Sequence, residues 1–377
     1  MESNITDEKF MRYALELARR GEGYVNPNPM VGAVIVKNGK VIGEGYHARY
    51  GEAHAERNAL QSCRESPKGA DLYVTLEPCC HYGKTPPCTE AIIENKIKRV
   101  IVGSFDCNPL VAGKGIKILR DAGIEVTEGV LQKECEELNK IFFHFIKTGN
   151  PYVVMKYAMT LDGKIATHTG ASKWITGKAA RKKVHEDRGR MMAIMAGVGT
   201  VLVDNPLLNC RLEGKKNPIR IICDTHLRTP LDSKIVKTAG ENQTILAVSE
   251  KVGEEKKEAY RKAGCEFLEL PECEAGINLK ILMKKLGEKK IDSVLLEGGG
   301  TLNEAALRAG IVDAVQAYIA PKLFGGAEAK TPVEGVGVEK PEEAFRLINT
   351  KFSYLGEDIL LEGEVEKQAG IRERCCE

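Results

Sequence analysis

The sequence predicts an α/β protein made of two successive domains. Short aliphatic and β-branched runs alternate with segments of helical spacing over most of the chain, the pattern of strands and helices packed in layers. A long helical run ends at Gly149-Asn150-Pro151, which cannot continue it, and a fresh alternation starts there. At 377 residues the chain has the length for two ordinary domains, each with its own core. The expected domains are residues 1–148 and 149–377.

Phe10, Tyr13, Ala14, Leu17 and Ala18 recur at helical spacing and predict a first amphipathic helix, which Asn26-Pro27-Asn28-Pro29 breaks. Val31–Val36 and Val41-Ile42 flank Asn38-Gly39, the strongest two-residue hairpin signal in the sequence. His54–Cys63 reads as a helix, Leu72–Leu76 as a strand that stops just before Cys79, and Thr89–Asn95 as a helix that starts just after Cys88. Arg99–Ser104 is a strand, Gly113–Ala122 a helix, Gly123–Val126 a turn into a short strand, and Leu131–Ile146 one helix-like run. This succession predicts a sheet with a mainly parallel portion.

In the second domain Tyr152–Ala158, Arg190–Gly197, Ile219–Asp224, Ile245–Val248, Ser293–Glu297 and Ala314–Ile319 are expected strands. Lys178–Arg188, Glu254–Ala263 and Leu279–Leu286 are expected helices between them. No internal repeat or low-complexity segment interrupts the pattern.

Fifty-five basic against fifty-three acidic residues leave a formal charge of +2, so no overall field draws the chain to nucleic acid or to an anionic membrane. The apolar stretches fall far short of the roughly 20 residues a bilayer requires, and the acidic start shows no signal-peptide pattern. A cytoplasmic protein follows as the expectation. Twelve cysteines then imply thiols and metal rather than disulfides. Cys63, Cys135, Cys210, Cys223, Cys265, Cys273 and the Cys375-Cys376 pair read as packing or bystander thiols.

Chemistry concentrates in Gly51-Glu52-Ala53-His54-Ala55-Glu56 and in Glu77-Pro78-Cys79-Cys80-His81-Tyr82-Gly83-Lys84-Thr85-Pro86-Pro87-Cys88. A zinc site that activates water needs three deprotonable soft or borderline ligands and a nearby carboxylate free to move protons. His54, Cys79 and Cys88 can be the ligands, and Glu56 the carboxylate. Zinc-dependent base deaminases carry H-x-E followed by P-C-x-x-C, with the glutamate as general acid/base. The first half of that signature is present. In the second, Cys88 lies nine positions beyond Cys79 rather than three, so on residue types Cys79, Cys80 and His81 compete for one position. A closed structural zinc site is the plainer alternative, but it gives Glu56 in a helix's first turn nothing to do.

Together with Asn26-Pro27-Asn28-Pro29-Met30-Val31-Gly32 and Asn108-Pro109-Leu110-Val111-Ala112-Gly113-Lys114-Gly115, these stretches resemble the deaminase half of the bifunctional RibD family of riboflavin biosynthesis. The resemblance implies an N-terminal cytidine-deaminase-like three-layer α/β domain, in which the longer cysteine spacing is normal. It implies His54, Cys79 and Cys88 as zinc ligands, Glu56 as proton carrier, and substrate contacts from Asn28, His47, His81 and Lys84. Cys107 departs from the family's usual proline in Asp-Pro-Asn-Pro, with a small loop effect expected.

In the second half, Glu297-Gly298-Gly299-Gly300-Thr301-Leu302-Asn303 runs from a strand through glycines into a helix, which offers bare backbone N–H groups to a phosphate. A glycine turn of this kind also forms without any ligand. Taken with Met159–Ile165, Gly197-Val198-Gly199-Thr200, Asp204-Asn205-Pro206 and Gly325-Gly326, it resembles the reductase half of the same family, whose fold is similar to dihydrofolate reductase. That resemblance implies NADPH against Ala158, Trp174, Thr200, Asp204, Thr225, Gly299, Gly300, Thr301, Leu302, Asn303 and Glu304. It implies a phosphoribosyl pyrimidine against Ser172, Arg188, Leu208, Arg211 and Glu297. Arginine suits a ribose phosphate, because its fork matches phosphate geometry.

The expected protein is therefore a zinc-dependent pyrimidine deaminase joined to an NADPH-dependent reductase, a homo-oligomer with no nucleic-acid or membrane partner. A nucleoside or tRNA deaminase with an accessory domain would explain the zinc motif, but it predicts a basic patch and leaves residues 151–377 without a task. A non-catalytic zinc scaffold would tolerate loss of the Glu56 carboxylate.

Overall fold

The computed structural model describes residues 2–367 apart from 84, 109, 110 and 275. The chain divides into two compact units, Met1–Gly149 and Asn150–Glu377. No helix among the described residues is long and apolar enough to cross a membrane.

The first unit contains, in order, α1 (Glu2–Arg19), β1 (Gly32–Lys37), β2 (Lys40–Tyr46), α2 (Ala55–Gln61), β3 (Asp71–Leu76), α3 (Cys88–Glu94), β4 (Arg99–Ser104), α4 (Lys114–Asp121), β5 (Glu125–Glu128), α5 (Gln132–Leu138) and α6 (Lys140–Thr148). Its five-stranded sheet has the order β2-β1-β3-β4-β5. The β1–β2 hairpin turns on Asn38 and Gly39, both at positive φ (51° and 74°), as a type I′ turn requires. β3, β4 and β5 run parallel, so the chain leaves all three at the same edge. One face is filled by Met11, Ala14 and Leu17 of α1 against Val34, Tyr73 and Ile101, and the other by Ala55, Ala59, Leu72, Val74, Ile92 and Leu119. Each such aliphatic burial contributes about 1.5–3 kcal/mol.

α2 lies unusually close to β2. A Cβ at position 45 would stand 2.3 Å from the backbone nitrogen of Ala59, so only glycine lets the helix that carries Glu56 approach the sheet. The run 131–146 is two helices rather than the single one its spacing predicts. Asn139 sits between them with φ −109°, and its side chain accepts from Met30 N (2.8 Å) and donates to Met30 O (2.9 Å). Tertiary hydrogen bonds there override local helical continuity.

The second unit contains β6 (Tyr152–Thr160), α7 (Lys178–Arg190), β7 (Ala193–Gly197), α8 (Val198–Asp204), β8 (Ile219–Cys223), α9 (Lys234–Lys237), β9 (Thr244–Ser249), α10 (Glu254–Lys262), β10 (Cys265–Leu270), the two-residue strands β11 (Glu272–Cys273) and β12 (Gly276–Ile277), α11 (Leu279–Glu288), β13 (Ser293–Leu296), α12 (Gly300–Arg308), β14 (Ala314–Ala320), β15 (Leu347–Leu355) and β16 (Asp358–Val365). Its nine-stranded sheet has the order β10-β9-β8-β7-β13-β6-β14-β16-β15. Every neighbouring pair from β10 to β14 is parallel; β16 and β15 add antiparallel at the far edge. Arg190 closes α7 instead of opening the expected strand 190–197, and the strand itself begins three residues later, at Ala193. The topology reverses around β13 and β6, which puts the carboxyl ends of the parallel strands around one crevice.

Candidate active sites

In the first unit the site forms where β3 and β1–β2 hand the chain to helices. His54 is the N-cap of α2, Glu56 lies in its first turn, and Cys88 is the first residue of α3. The backbone nitrogens of Cys88 and Thr89 donate to the carbonyl of Cys79 at 3.1 and 3.2 Å. The start of α3 thus satisfies its exposed donors on the loop that carries the other cysteine, which ties the two sulfurs together.

Nδ1 of His54 lies 3.4 Å from Sγ of Cys79 and 3.4 Å from Sγ of Cys88. Tetrahedral zinc with sulfur at about 2.3 Å and nitrogen at about 2.0 Å requires S···N edges of roughly 3.5 Å. His54, Cys79 and Cys88 form a metal-competent group, all donors within 4.8 Å of one another, and Cys80 and His81 do not join it. Three donors, the number found among the described residues, is the catalytic arrangement. The electrostatics agree. The Cys88 thiol donates to Cys79, and this bond together with His54 draws Cys79 down to about 4 against the opposing effect of burial. Cys88 is pushed upward by the same bond and by burial. Glu56 is buried, and its carboxyl is raised by burial and then by the Cys79 thiolate. A cation at the centre would oppose that rise.

His47 stands beside the group, its ring centroid 5.4 Å from that of His54. Its Nδ1 bonds the carbonyl of Ala53 at 3.2 Å, and its Nε2 meets Nδ2 of Asn28 at 3.3 Å. Burial lowers its pKa, so it is neutral, a donor to Ala53 and an acceptor from Asn28. His81 is half-buried, and its Nδ1 has no hydrogen-bond partner among the described residues. Lys84, which the resemblance assigns to the substrate, lies outside the described residues, as do Pro109, Leu110 and the Cys375-Cys376 pair.

Sequence reasoning missed the supports of this centre. Arg57 donates to the carbonyls of Pro86 (3.2 Å) and Pro87 (2.9 Å) and pins the loop that delivers Cys88. The buried Glu77 carboxylate accepts from the backbone nitrogens of Asp106 (3.4 Å), Gly113 (3.0 Å) and Ile116 (3.3 Å), which anchors the loop before α4. Asp106 faces the same region, its carboxyl pushed up to about 6 chiefly by burial. A surface-type residue such as Arg57 carries no periodic signal that would mark it.

The second unit holds a cavity of about 970 Å³ at the carboxyl ends of β6, β13, β7 and β8. Ala158, Ser172, Trp174, Arg188, Thr200, Asp204, Leu208, Arg211, Thr225, Glu297 and Gly299–Leu302 all line it. Asn303 and Glu304 do not. Asn303 is fully buried and donates to the carbonyl of Pro332 at 2.8 Å, while Glu304 pairs with Arg308. The glycines divide between two purposes. A Cβ at position 300 would stand 2.4 Å from Cγ of Glu334, a packing demand within the protein, whereas one at 299 would meet only Oγ1 of Thr200 at 4.0 Å and so faces open space.

The polar floor of the cavity is an ion cluster. Arg188 grips the Glu297 carboxylate with Nε at 2.7 Å and Nη2 at 2.9 Å, and Nζ of Lys156 reaches the same carboxylate at 3.3 Å. Burial alone would raise Glu297; the Arg188 and Lys156 charges outweigh it and hold the carboxyl at about 2. Arg188 also donates to the carbonyl of Asn209 at 3.1 Å, so its fork is spent inside the protein. The guanidinium of the exposed Arg211 has no hydrogen-bond partner among the described residues. Ser172 donates to Asp204 at 3.2 Å, and the Arg181 guanidinium lies 4.4 Å from the centroid of the Trp174 ring. Lys156 was missed too, although one cation in the apolar strand Tyr152–Met159 is a signal that could have found it.

Residues 151–361 match the family model for the RibD C-terminal domain, and residues 4–104 match the cytidine and deoxycytidylate deaminase zinc-binding region. The chain is 54% identical over 359 residues to the riboflavin biosynthesis protein RibD of Actinobacillus pleuropneumoniae, covering 95% of each. It is 40% identical to RibD of Escherichia coli K12, over 94% of this chain and 98% of the other. Among solved structures it is similar to Acinetobacter baumannii RibD (TM-score 0.86, 38% identity, 97% and 100% covered). It is also similar to the diaminohydroxyphosphoribosylaminopyrimidine deaminase/5-amino-6-(5-phosphoribosylamino)uracil reductase of Thermotoga maritima (TM-score 0.83, 40% identity, 96% and 99% covered).

Proposed function

The chain belongs to the RibD family, and from that premise we propose how its residues divide the work. It is a bifunctional deaminase and reductase of riboflavin biosynthesis that uses Zn²⁺ and NADPH. We assign deamination of 2,5-diamino-6-(5-phosphoribosylamino)-4(3H)-pyrimidinone to residues 1–148. We assign reduction of the ribosyl group of 5-amino-6-(5-phosphoribosylamino)uracil to residues 149–377. The observation that carries the reading is the meeting of His54 Nδ1, Cys79 Sγ and Cys88 Sγ within 4.8 Å beside the buried Glu56.

Zn²⁺, held by His54, Cys79 and Cys88, supplies Lewis-acid activation of water when bound. Glu56 accepts the proton of the attacking water on its carboxylate and returns it to the departing ammonia. Asn28, its amide oriented by neutral His47, faces the pyrimidine ring together with that imidazole, and His81 offers a further donor or acceptor from the cysteine loop. The family resemblance assigns Lys84 to the substrate as well.

NADPH supplies hydride for the second step. Gly299–Leu302 at the start of α12 hold the cofactor phosphates, with Ala158, Trp174, Thr200, Asp204 and Thr225 along its length. Asn303 and Glu304 support this wall from behind it. Glu297 and Lys156 present one acceptor and one donor to the substrate, Arg188 fixes Glu297, and Arg211 takes the 5-phosphate. Ser172 and Leu208 complete the substrate wall. The protein acts as a cytoplasmic homo-oligomer without nucleic-acid partners.

The test follows ammonia release and NADPH oxidation separately on the diaminopyrimidinone ribotide. Both signals are expected, and a chelator that strips zinc should abolish ammonia release from that substrate while NADPH oxidation continues on the deaminated compound. NADPH never consumed would refute the reductase assignment.

A further inference from the structure

This inference rests on reading the large cavity as the NADPH site and concerns how the protein tells NADPH from NADH. The sheet order fixes the direction of the cofactor. Lys156, midway along β6, and Glu297, just past the end of β13, meet on the cavity floor, the glycine run follows β13, and beyond it come the ends of β7 and then β8. With hydride chemistry over β6 and β13 and the pyrophosphate at Gly299–Leu302, the adenosine end reaches β8. In nucleotide-binding crevices an acid at that point binds the ribose hydroxyls, whereas an arginine nearby accommodates a 2′-phosphate.

β8 does run into an acid, Asp224, but that carboxylate is fully buried and already used. Oδ1 accepts from Arg228 N at 2.8 Å, and Oδ2 accepts from Thr229 N and Thr229 Oγ1, both at 2.7 Å. Asp224 shapes the turn and cannot reach a ribose. The same bonds fix the backbone of Arg228, whose exposed side chain lines the cavity and has no hydrogen-bond or ion-pair partner among the described residues. Lys234 lines it as well. Its backbone nitrogen is held by Oδ1 of Asn205 at 2.8 Å, and its ammonium has no partner among the described residues. Asp204, the carboxylate at the end of α8 that lines the cavity, is engaged by Ser172.

We propose that Arg228, with Lys234, recognises the 2′-phosphate monoester of the cofactor. A guanidinium fork matches a phosphate dianion, and the neighbouring acid that would repel it has been withdrawn into the turn.

Calorimetric titration of the full chain with adenosine 2′,5′-bisphosphate and with 5′-AMP reads this directly, without turnover. The unmodified protein should prefer the bisphosphate by about 10-fold or more, the size of a charge-assisted contact. Arg228→Gln should remove most of that preference while 5′-AMP affinity stays unchanged, which also reports an intact fold; Lys234→Gln should reduce it by about threefold. A preference undiminished in the double variant, with NADPH still bound, overturns this inference alone. An unmodified chain that binds none of the three ligands overturns the cofactor reading with it.

Discussion

The two sites are built in opposite ways. The zinc centre draws its ligands and its proton carrier from positions 54 to 88, and the hydrogen bonds from α3 to Cys79 draw the sulfurs together before any ion binds. The reductase cavity draws its walls from residues between 156 and 334, supplied by strands, helices and loops far apart in sequence, around an ion cluster in which Arg188 and Lys156 share the Glu297 carboxylate. One site depends on a local turn, the other on the whole sheet. A substitution in the first should therefore cost chemistry and spare the fold, and one in the ion cluster of the second should cost both.

Glu56→Gln is the strongest test of that contrast. Zinc content should be unchanged, because Glu56 is not among the converging donors, while ammonia release falls by about 10²–10⁴-fold, the usual worth of a positioned general acid/base. Thermal stability should hold or rise, since burial already penalises the charged carboxylate. Undiminished deamination in a zinc-loaded variant would break the assignment.

Glu297→Gln is the counterpart in the cavity. It leaves Arg188 and Lys156 buried without a counter-charge, a loss of about 3–5 kcal/mol in the stability of that unit, together with loss of reduction. The pH dependence has a definite sign. Glu297 ionises at about 2 in the folded protein, below its unfolded value, so its contribution is present above about pH 4.5 and fades as pH falls towards 2. Melting temperature measured from pH 7 to pH 3 should fall less steeply in the variant than in the parent.

The same contrast explains what could be read from the sequence. His54, Glu56 and Cys88 are legible because chemistry confines them to short spacings around one strand edge, whereas the choice of Cys79 over Cys80 and His81 needed the family pattern, because the long gap between the cysteines leaves residue types alone undecided. Gly299 and Trp174 needed a family pattern, because glycine turns and lone tryptophans are ordinary. The β15–β16 hairpin escaped altogether. Leu347–Leu355 is an edge strand with nearly every side chain exposed, so burial imposes no alternation on it. α8 escaped because Gly197 at its N-cap and Gly199 inside its first turn argue against a helix that packing nevertheless enforces. Lys156 and the fork of Arg188 on Glu297 join positions far apart in sequence, a relation that no local reading contains.

Arg57→Ala probes whether the zinc centre is as self-sufficient as its spacing suggests. Arg57 touches no ligand side chain; it holds the carbonyls of Pro86 and Pro87, just before Cys88. Supports of this kind are worth about 10–100-fold in metal affinity. Competition with a chromogenic chelator should show a shift of that size with the deaminated-substrate reductase rate unchanged, and an unaltered affinity would mean that α3 alone fixes Cys88.

The smallest effect is expected at the rim of the other site, where the chain provides its own reporter. Trp174 is the single tryptophan of the sequence, is 63% exposed, lines the cavity, and is covered on one face by Arg181. Lys322 donates to the carbonyls of Trp174 (3.1 Å) and Ile175 (2.7 Å), so the loop is held even without that cation. A cation over an exposed ring is worth about 0.5–1 kcal/mol, or roughly two- to fivefold in affinity. Titration of Arg181→Ala with NADPH, followed by tryptophan fluorescence, should show quenching at saturation equal to the parent's and a dissociation constant higher by that modest factor. A loss of quenching with affinity retained would remove Trp174 from the cofactor's path and leave the glycine run of α12 to carry binding without it.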